Sequence, residues 1–358
     1  MAILDLSQFT MNEDEAREVS KLIFEAAITG GDLAEYHEIE TGIHHKTQIP
    51  FIGSLGLVGA KVAGCDRNEN PAQIQLTEKF WDPELIGDRL KHCATDVNAL
   101  LKLFKKAQRI NPEFYDRIDA EEFAVIVAKV AEAMTAMLNR LVWFSDKAAG
   151  NVTADGGVIK DGVDVKYFNI FDGLFKQIFA EIPEGAANHV SIAANDELNY
   201  ADQQVLPADA GLKTLRKMYN AMDARFFDAW QKGAQPQFLI TRQLFQNYQD
   251  HLEDKSLAFT LAEVKDGVTV MSYRGIPIKV RHDWDANIRS YQDNGTKFNL
   301  PHRAVLTVKE NIPVGTVSKE DLEKIESWYE KKDKANYIDF DLKLDTKHLL
   351  PYLTVAAY

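Results

Sequence analysis

The sequence has 358 residues, 46% of them hydrophobic, which is ample for at least one full core and points to two domains or one elaborated domain. With 54 acidic residues against 41 basic ones the formal charge is −13, which argues against any function that works by neutralising nucleic-acid phosphates. Cys65 and Cys93 alone cannot make a disulfide framework, and neither a long apolar run nor a basic-then-apolar start exists, so a folded protein without membrane span or signal peptide is expected.

In chain order, Asn12 to Ala27 reads as a modest amphipathic helix stopped at Gly30-Gly31. From Glu38 to Phe80 the character is extended: His44 to Ile52 reads as a strand, glycines at 42, 53, 56, 59 and 64 punctuate the region, and Gln73 to Thr77 alternates as a strand does. This segment has too little apolar content to bury itself and is expected to lie on something else. Asp82-Pro83 then carries a helix-start signal, and Ile86, Leu90, Cys93, Val97, Leu100, Leu101 and Phe104 predict an apolar helical stripe ending before Asn111-Pro112.

Asp119 to Lys147 gives the strongest helix signal in the chain. Phe123, Ile126, Val127, Val130, Met134, Met137, Leu138, Leu141 and Phe144 recur at spacings of three and four with no Gly or Pro between them. The opposite face, with Lys129, Glu132, Asn139 and Arg140, is expected to meet solvent or a neighbour. After Gly150 the polar run to Gly157 is the best domain boundary. Beyond it, His189 to Ala193 and Phe238 to Ile240 read as strands, and Asp209 to Lys232 and Thr241 to Leu252 as helices. Val268 to Tyr273, Ile276 to Val280 and Arg303 to Val308 read as strands, the first two joined by a turn at Arg274-Gly275. Lys319 to Lys334 reads as a solvated helix, and Tyr337 to Leu344 alternates apolar and charged residues as a half-buried strand does. The class is mixed α+β, without internal repeats.

Catalytic signals are sparse. Neither GxxxxGK[ST] nor GxGxxG occurs, and Gly53 to Gly59 spaces its glycines wrongly for phosphate binding. His44 and His45 are adjacent on a strand, so they face opposite ways and lack a third ligand. His282, Asp283 and Asp285, with His302, are the candidates for acid/base chemistry if the chain is an enzyme; the plainer reading is a polar turn with Trp284 packed inward. Cys93 and the Met134/Met137 pair read as core, and Cys65 as an exposed thiol beside an acid. No catalytic, cofactor-binding or metal-ligating residue is assigned, which shifts weight toward a protein that works through its surfaces.

One set of segments carries a resemblance. Lys79 to Leu90 (KFWDPELIGDRL) with His92-Cys93, Tyr273 to Ile278 (YRGIPI), His302 to Thr316 (HRAVLTVKENIPVGT) and the terminal Val355-Ala356-Ala357-Tyr358 resemble capsid proteins of phages and prophages from Bacteroidetes-type hosts. The element order likewise resembles the Hong Kong 97 fold of tailed-phage major capsid proteins, shared by encapsulin nanocompartments. The resemblance implies an N-terminal arm over 1–37, an extended loop over 38–80 that lies on an adjacent subunit, and a peripheral domain over 81–149 with a spine helix at 119–147. It further implies an axial domain over 150–318 and a return to the peripheral domain over 319–358, the spine packing on the strand from Tyr337 to Leu344.

The implied function is a non-enzymatic, cofactor-free subunit that self-assembles through homo-pentamers and homo-hexamers into an icosahedral head around double-stranded DNA. Such a subunit would be built in the host bacterial cytoplasm and end in the virion. Portal, scaffold and decoration proteins are the implied partners, with only loose contact to packaged DNA and none to membrane. Because the extended segment begins within forty residues of Met1, a cleaved N-terminal scaffolding region is not expected. An encapsulin-like compartment shell is the alternative, and an α/β enzyme the more distant one.

Overall fold

The computed structural model describes residues 32–49, 79–93, 121–255, 262–265, 268–317, 326–330 and 335–358, with backbone alone at 32, 90–93, 121–131, 262–265, 268–270, 326–330 and 335–340. The helix expected at 12–27, the strand at 73–77 and Cys65 lie outside these residues.

A short helix α1 (Asp32–Tyr36) leads into strands β1 (Ile39–Glu40) and β2 (Thr47–Gln48), then β3 (Phe80–Trp81) and the ten-residue β4 (Glu84–Cys93). The long helix α2 (Glu121–Phe144) follows, then α3 (Leu174–Glu181), β5 (His189–Val190), α4 (Ala210–Asn220), α5 (Ala224–Gln231), β6 (Pro236–Ile240) and α6 (Arg242–Asp254). Strands β7 (Ala262–Lys265), β8 (Val268–Tyr273) and β9 (Ile276–Val280) precede helix α7 (His282–Tyr291). The chain closes with β10 (Ala304–Val308), β11 (Val314–Thr316), β12 (Glu326–Glu330), β13 (Ala335–Thr346) and β14 (Thr354–Ala357).

Two main sheets result. One runs β1-β11-β13-β12, with β4 also paired to β13; the other runs β5-β14-β10-β6-β9-β8-β7. The first sheet therefore joins the early strands β1 and β4 to the late ones, while most strands between 189 and 308 build the second. β6 and β10 sit at the centre of the second sheet and are buried at every position, so their apolar runs read continuously instead of alternating. The last strand, β14, leaves the β13 sheet and lies between β5 and β10, whereas the return segment 319–358 was expected to stay with the first sheet.

Four local expectations are corrected. The helix expected from Asp82 to Phe104 is strand β4 over its described part. Gly87 costs a helix about 1 kcal/mol relative to Ala, and the β13 register offers more: Ile86 stands opposite Leu342, Leu90 opposite Ile338 and Arg89 opposite Asp339. The Ile86–Leu342 pair, with both side chains buried, contributes roughly 0.2–1 kcal/mol. In the expected helix of 319–334, Glu326–Glu330 is strand β12 because Trp328 and Tyr329 suit a strand and β13 supplies a pairing edge. The single helix expected over 209–232 breaks at Ala221–Asp223, where the Asp223 carboxylate accepts from Arg225 N–H and so starts a new helix. His282 to Asp285 is the first turn of α7 instead of a free turn, though Trp284 is wholly buried as expected.

The turn between β8 and β9 forms as expected, with Arg274 (φ +52°) and Gly275 (φ +82°) both left-handed, as a two-residue hairpin of primed type requires. At the 150–157 boundary a Cβ on Gly157 would stand 2.1 Å from the Gly150 carbonyl oxygen. Gly157→Ala is therefore expected to force the backbone apart and cost roughly 1–3 kcal/mol, read as a lower urea midpoint; an unchanged midpoint would contradict that packing.

Helix α2 forms nearly where expected, but its setting differs. It packs most closely on α3 and α7, and Leu342 and Leu344 of β13 join the same core. Met134, Leu138, Leu141 and Phe144 are buried and Glu132 is exposed, as its period implies. Asn139, expected on the outer face, is buried and accepts from Arg281 Nη2 at 3.1 Å. Arg140 is half-buried, 5.5 Å from the Phe168 ring, because the last two turns are enclosed on every side.

Candidate assembly surface

The candidate acid/base residues do not form a site. The Asp283 carboxylate pairs with Arg281 at 2.6 Å. Asp285 accepts from Arg242 N–H at 2.8 Å and so caps the start of α6, and burial pushes its carboxyl up. His302 is buried, its Nε2–H donating to the Gln203 carbonyl at 2.6 Å, and burial holds it below the usual imidazole range. His282 is exposed at the surface of α7. Asp283, Asp285 and His302 are thus engaged in contacts within the fold, and His282 stands apart from them on the surface. His44 and His45 are both exposed, and no group of metal-ligating residues occurs among the described residues.

What the structure offers instead is an apolar groove and, on the same flank, a strand that pairs on one side only among the described residues. β4 pairs on one side with β13 and on the other with nothing among the described residues. It alternates, with Ile86 turned into the core and Leu85 left 62% exposed. Between β4, α2 and the 163–170 segment runs a groove of about 670 Å³, walled by Leu85, Met134, Met137, Tyr167, Phe168 and Ile170. Tyr167 is 42% exposed at its rim, and Phe80, beside β4 in sequence, is 41% exposed. An unpaired edge and an adjoining exposed apolar patch are the two features that a protein commonly covers by associating with another chain.

Two polar clusters that sequence reasoning missed tie distant segments of the chain together. In the first, Lys79 Nζ pairs with Glu181 at 2.6 Å and also reaches the His348 carbonyl, while Glu181 bonds His348 Nδ1 at 2.6 Å. His348 Nε2 meets Thr354 Oγ1, which bonds Thr307 and Asn311. Burial lowers His348; burial raises Glu181, but the His348 and Lys79 contacts reverse that and leave its carboxyl lowered. This network ties the approach to β4, the end of α3 and the chain terminus together.

In the second cluster, His37, only 1% exposed, donates from Nδ1 to the Ile312 carbonyl at 2.9 Å and accepts at Nε2 from the Trp143 indole N–H at 3.1 Å. Burial, with Arg281 adding repulsion, brings it down to about 3. Its folded value thus lies below its unfolded value of 6.5, so acid favours the unfolded chain. The stability tied to neutral His37 is complete above pH 6.5 and falls as the pH drops toward 3. From pH 6.5 to 5 the loss is about 2 kcal/mol. Denaturant unfolding across that range, wild type against His37→Gln, is expected to show a shallower acid slope in the variant; equal slopes would mean His37 is not the group responsible.

No protein-family model and no curated protein matches this sequence. Among solved structures, a chain of the satellite phage P4 procapsid that includes the size determination protein is 10% identical, with a TM-score of 0.49 over 95% of this chain and 98% of that one. This chain is similar to proteins of phage capsids. A chain of the mature capsid of bacteriophage PhiM1 is 11% identical, with a TM-score of 0.48 over 90% of this chain and 84% of that one. A chain of the holo-SrpI encapsulin complex from Synechococcus elongatus PCC 7942 is 10% identical, with a TM-score of 0.44 over 91% of this chain and 85% of that one. These alignments each span nine-tenths or more of this chain. No helix among the described residues is long and apolar enough to cross a membrane.

Proposed function

We propose that this chain is the structural subunit of an icosahedral phage head, self-assembling through pentamers and hexamers around double-stranded DNA. The observation that carries this reading is the way the chain returns on itself. Early strands β1 and β4 share one sheet with the late strands β11, β12 and β13, α2 leads away from that sheet, and a second mixed sheet fills most of the chain between them. The pairing of β4 with the late strand β13 supports the layout implied by the sequence resemblance, while β14, which joins the second sheet, departs from it. In this reading the first sheet with α2 is the peripheral domain, and the seven-stranded sheet with its helices is the axial domain that gathers around symmetry axes.

The acidic balance supports a wall that packaged DNA touches loosely, since a wall that bound phosphates would hinder loading. In this reading the role is non-enzymatic, which fits the use of Asp283 in an ion pair, Asp285 in a helix cap and His302 in a core bond. Assembly takes place in the host cytoplasm with a portal and scaffold or decoration proteins as partners, and the product resides in the virion. Native mass spectrometry of the expressed chain tests the oligomer directly: multiples of five and six subunits or larger shells support the proposal, and a stable monomer or dimer at all concentrations contradicts it. Particle contents separate a phage head from a compartment shell, because nucleic acid marks the first and an enzyme cargo the second.

A further inference from the structure

Arg303 and Arg281 are the two deeply buried arginines in the described core, at 2% and 1% exposed, but only Arg281 has an acid beside it. Arg303 stands just before β10 with its guanidinium 4.4 Å from the Phe175 ring centre, and 5.4 and 5.6 Å from those of Phe144 and Phe179. Its Nε donates to the Leu300 carbonyl at 2.9 Å, and its Nη2 donates to Gln292 Oε1 at 2.8 Å and the Asn299 carbonyl at 2.9 Å. All three acceptors are neutral. Among the described residues no carboxylate pairs with Arg303 and Nη1 makes no hydrogen bond. Burial lowers the group to about 9, which still leaves it charged at neutral pH.

This charge lines a cavity of about 310 Å³, bounded also by Phe175, Phe179, Leu300, Lys176 and Asp146. Lys176 and Asp146 pair at 2.9 Å and cancel one another, so the net charge presented to the cavity is that of Arg303. A buried cation without counter-charge is costly, and an anion supplied from outside relieves that cost.

We propose that this cavity binds a carboxylate, one oxygen accepting from Arg303 Nη1 and the hydrocarbon body lying against Phe175, Phe179 and Leu300. A monoanion balances the single positive charge, whereas a phosphate dianion would carry an unmatched charge into a largely apolar space. With Nε and Nη2 already committed, the contact is one charge-assisted bond instead of a two-pronged fork. The volume is at the lower end of small-ligand sites, roughly 300–1,000 Å³, and suits a ligand the size of one side chain. The carboxylate can come from an acidic side chain of a second copy or from a free organic acid.

The test is a titration of the full chain, before and after assembly, with benzoate and with its neutral analogue benzamide at constant ionic strength. Trp143 lines the cavity, so tryptophan emission reports binding. Unassembled chains are expected to show saturable quenching by benzoate and a rise in Tm of roughly 2–4 °C at saturation, with no response to benzamide. Arg303→Lys should weaken benzoate binding at least tenfold. Because that change touches the core, Val158→Trp provides a second variant: Val158 is exposed at the cavity wall, and filling it should abolish binding while leaving Tm unchanged. Loss of benzoate binding on assembly identifies the second copy as the source of the carboxylate, and retained binding identifies a free acid. An absence of saturable binding by unassembled chains, equal response to benzamide, or undiminished binding in both variants overturns the proposal.

Discussion

Trp143→Ala is expected to be the most damaging single substitution in the core. The indole is fully buried, its ring centre 4.5 Å from that of Trp284 and 5.0 Å from that of Phe175. Truncating a buried Trp or Phe to Ala typically costs about 3–5 kcal/mol through lost transfer energy and the cavity left behind. Here His37 Nε2 also loses its donor while staying buried, which adds on the order of 1–3 kcal/mol. Against a total stability of about 5–15 kcal/mol, that is enough to put a large fraction of the chain outside its native state. Urea unfolding should show the midpoint falling accordingly, and Trp143→Phe, which keeps a ring but not the donor, should fall in between. A loss under about 1 kcal/mol for the Ala variant would mean that the surroundings collapse onto the site far better than their packing implies.

Ala133→Pro tests a different property of the same element. Ala133 lies inside α2 and is exposed, so the new side chain meets no core residue. Proline there removes one backbone donor and sets its ring against the carbonyl of residue 129, costing about 3 kcal/mol or more and kinking the helix. Ala133 also belongs to the wall of the 670 Å³ groove, so the kink changes the surface proposed for association. The expected result is a protein that forms no particles, while Ala133→Ser, which keeps the helix straight, assembles as the parent does. Assembly by the proline variant would separate α2 from the association mechanism. The two substitutions differ in kind: Trp143→Ala weakens the subunit, whereas Ala133→Pro alters its shape.

Particular residues show what a sequence can carry. Helix α2 was legible because its apolar residues repeat at the helical period for several turns without interruption, and β13 was legible because its alternation lasts eight residues. β4 was misread because Ile86, Leu90 and Cys93 fit a helical stripe, while the register that makes them a strand is supplied by residues some 250 positions away, in β13. β12 was misread for a different reason: its Lys/Glu-rich surroundings read as a solvated helix, while its partner β13 begins at Ala335, just beyond it, and pairs with it in antiparallel register. Strand pairing decided both.

The polar interior was less legible still. Arg281 and Arg303 stand next to apolar strands in sequence, yet charge alone argues for the surface, and only the stacked rings of Tyr36, Trp143 and Trp284 around one and three phenylalanines around the other explain their burial. His37 gave no signal, since both its partners lie more than a hundred residues away. His282, Asp283, Asp285 and His302 drew attention by proximity of residue type, and the structure separates them into an exposed side chain, an ion pair, a helix cap and a core bond. The groove beside β4 follows from the misread strand and so could not have been anticipated.

The central claim, that this chain builds a closed shell through its own contacts, is tested most directly by electron microscopy of the purified full chain. Closed icosahedral particles, or pentameric and hexameric rings with the β4 flank buried between neighbours, are the expected result. A compact monomer or dimer under every assembly condition would contradict it.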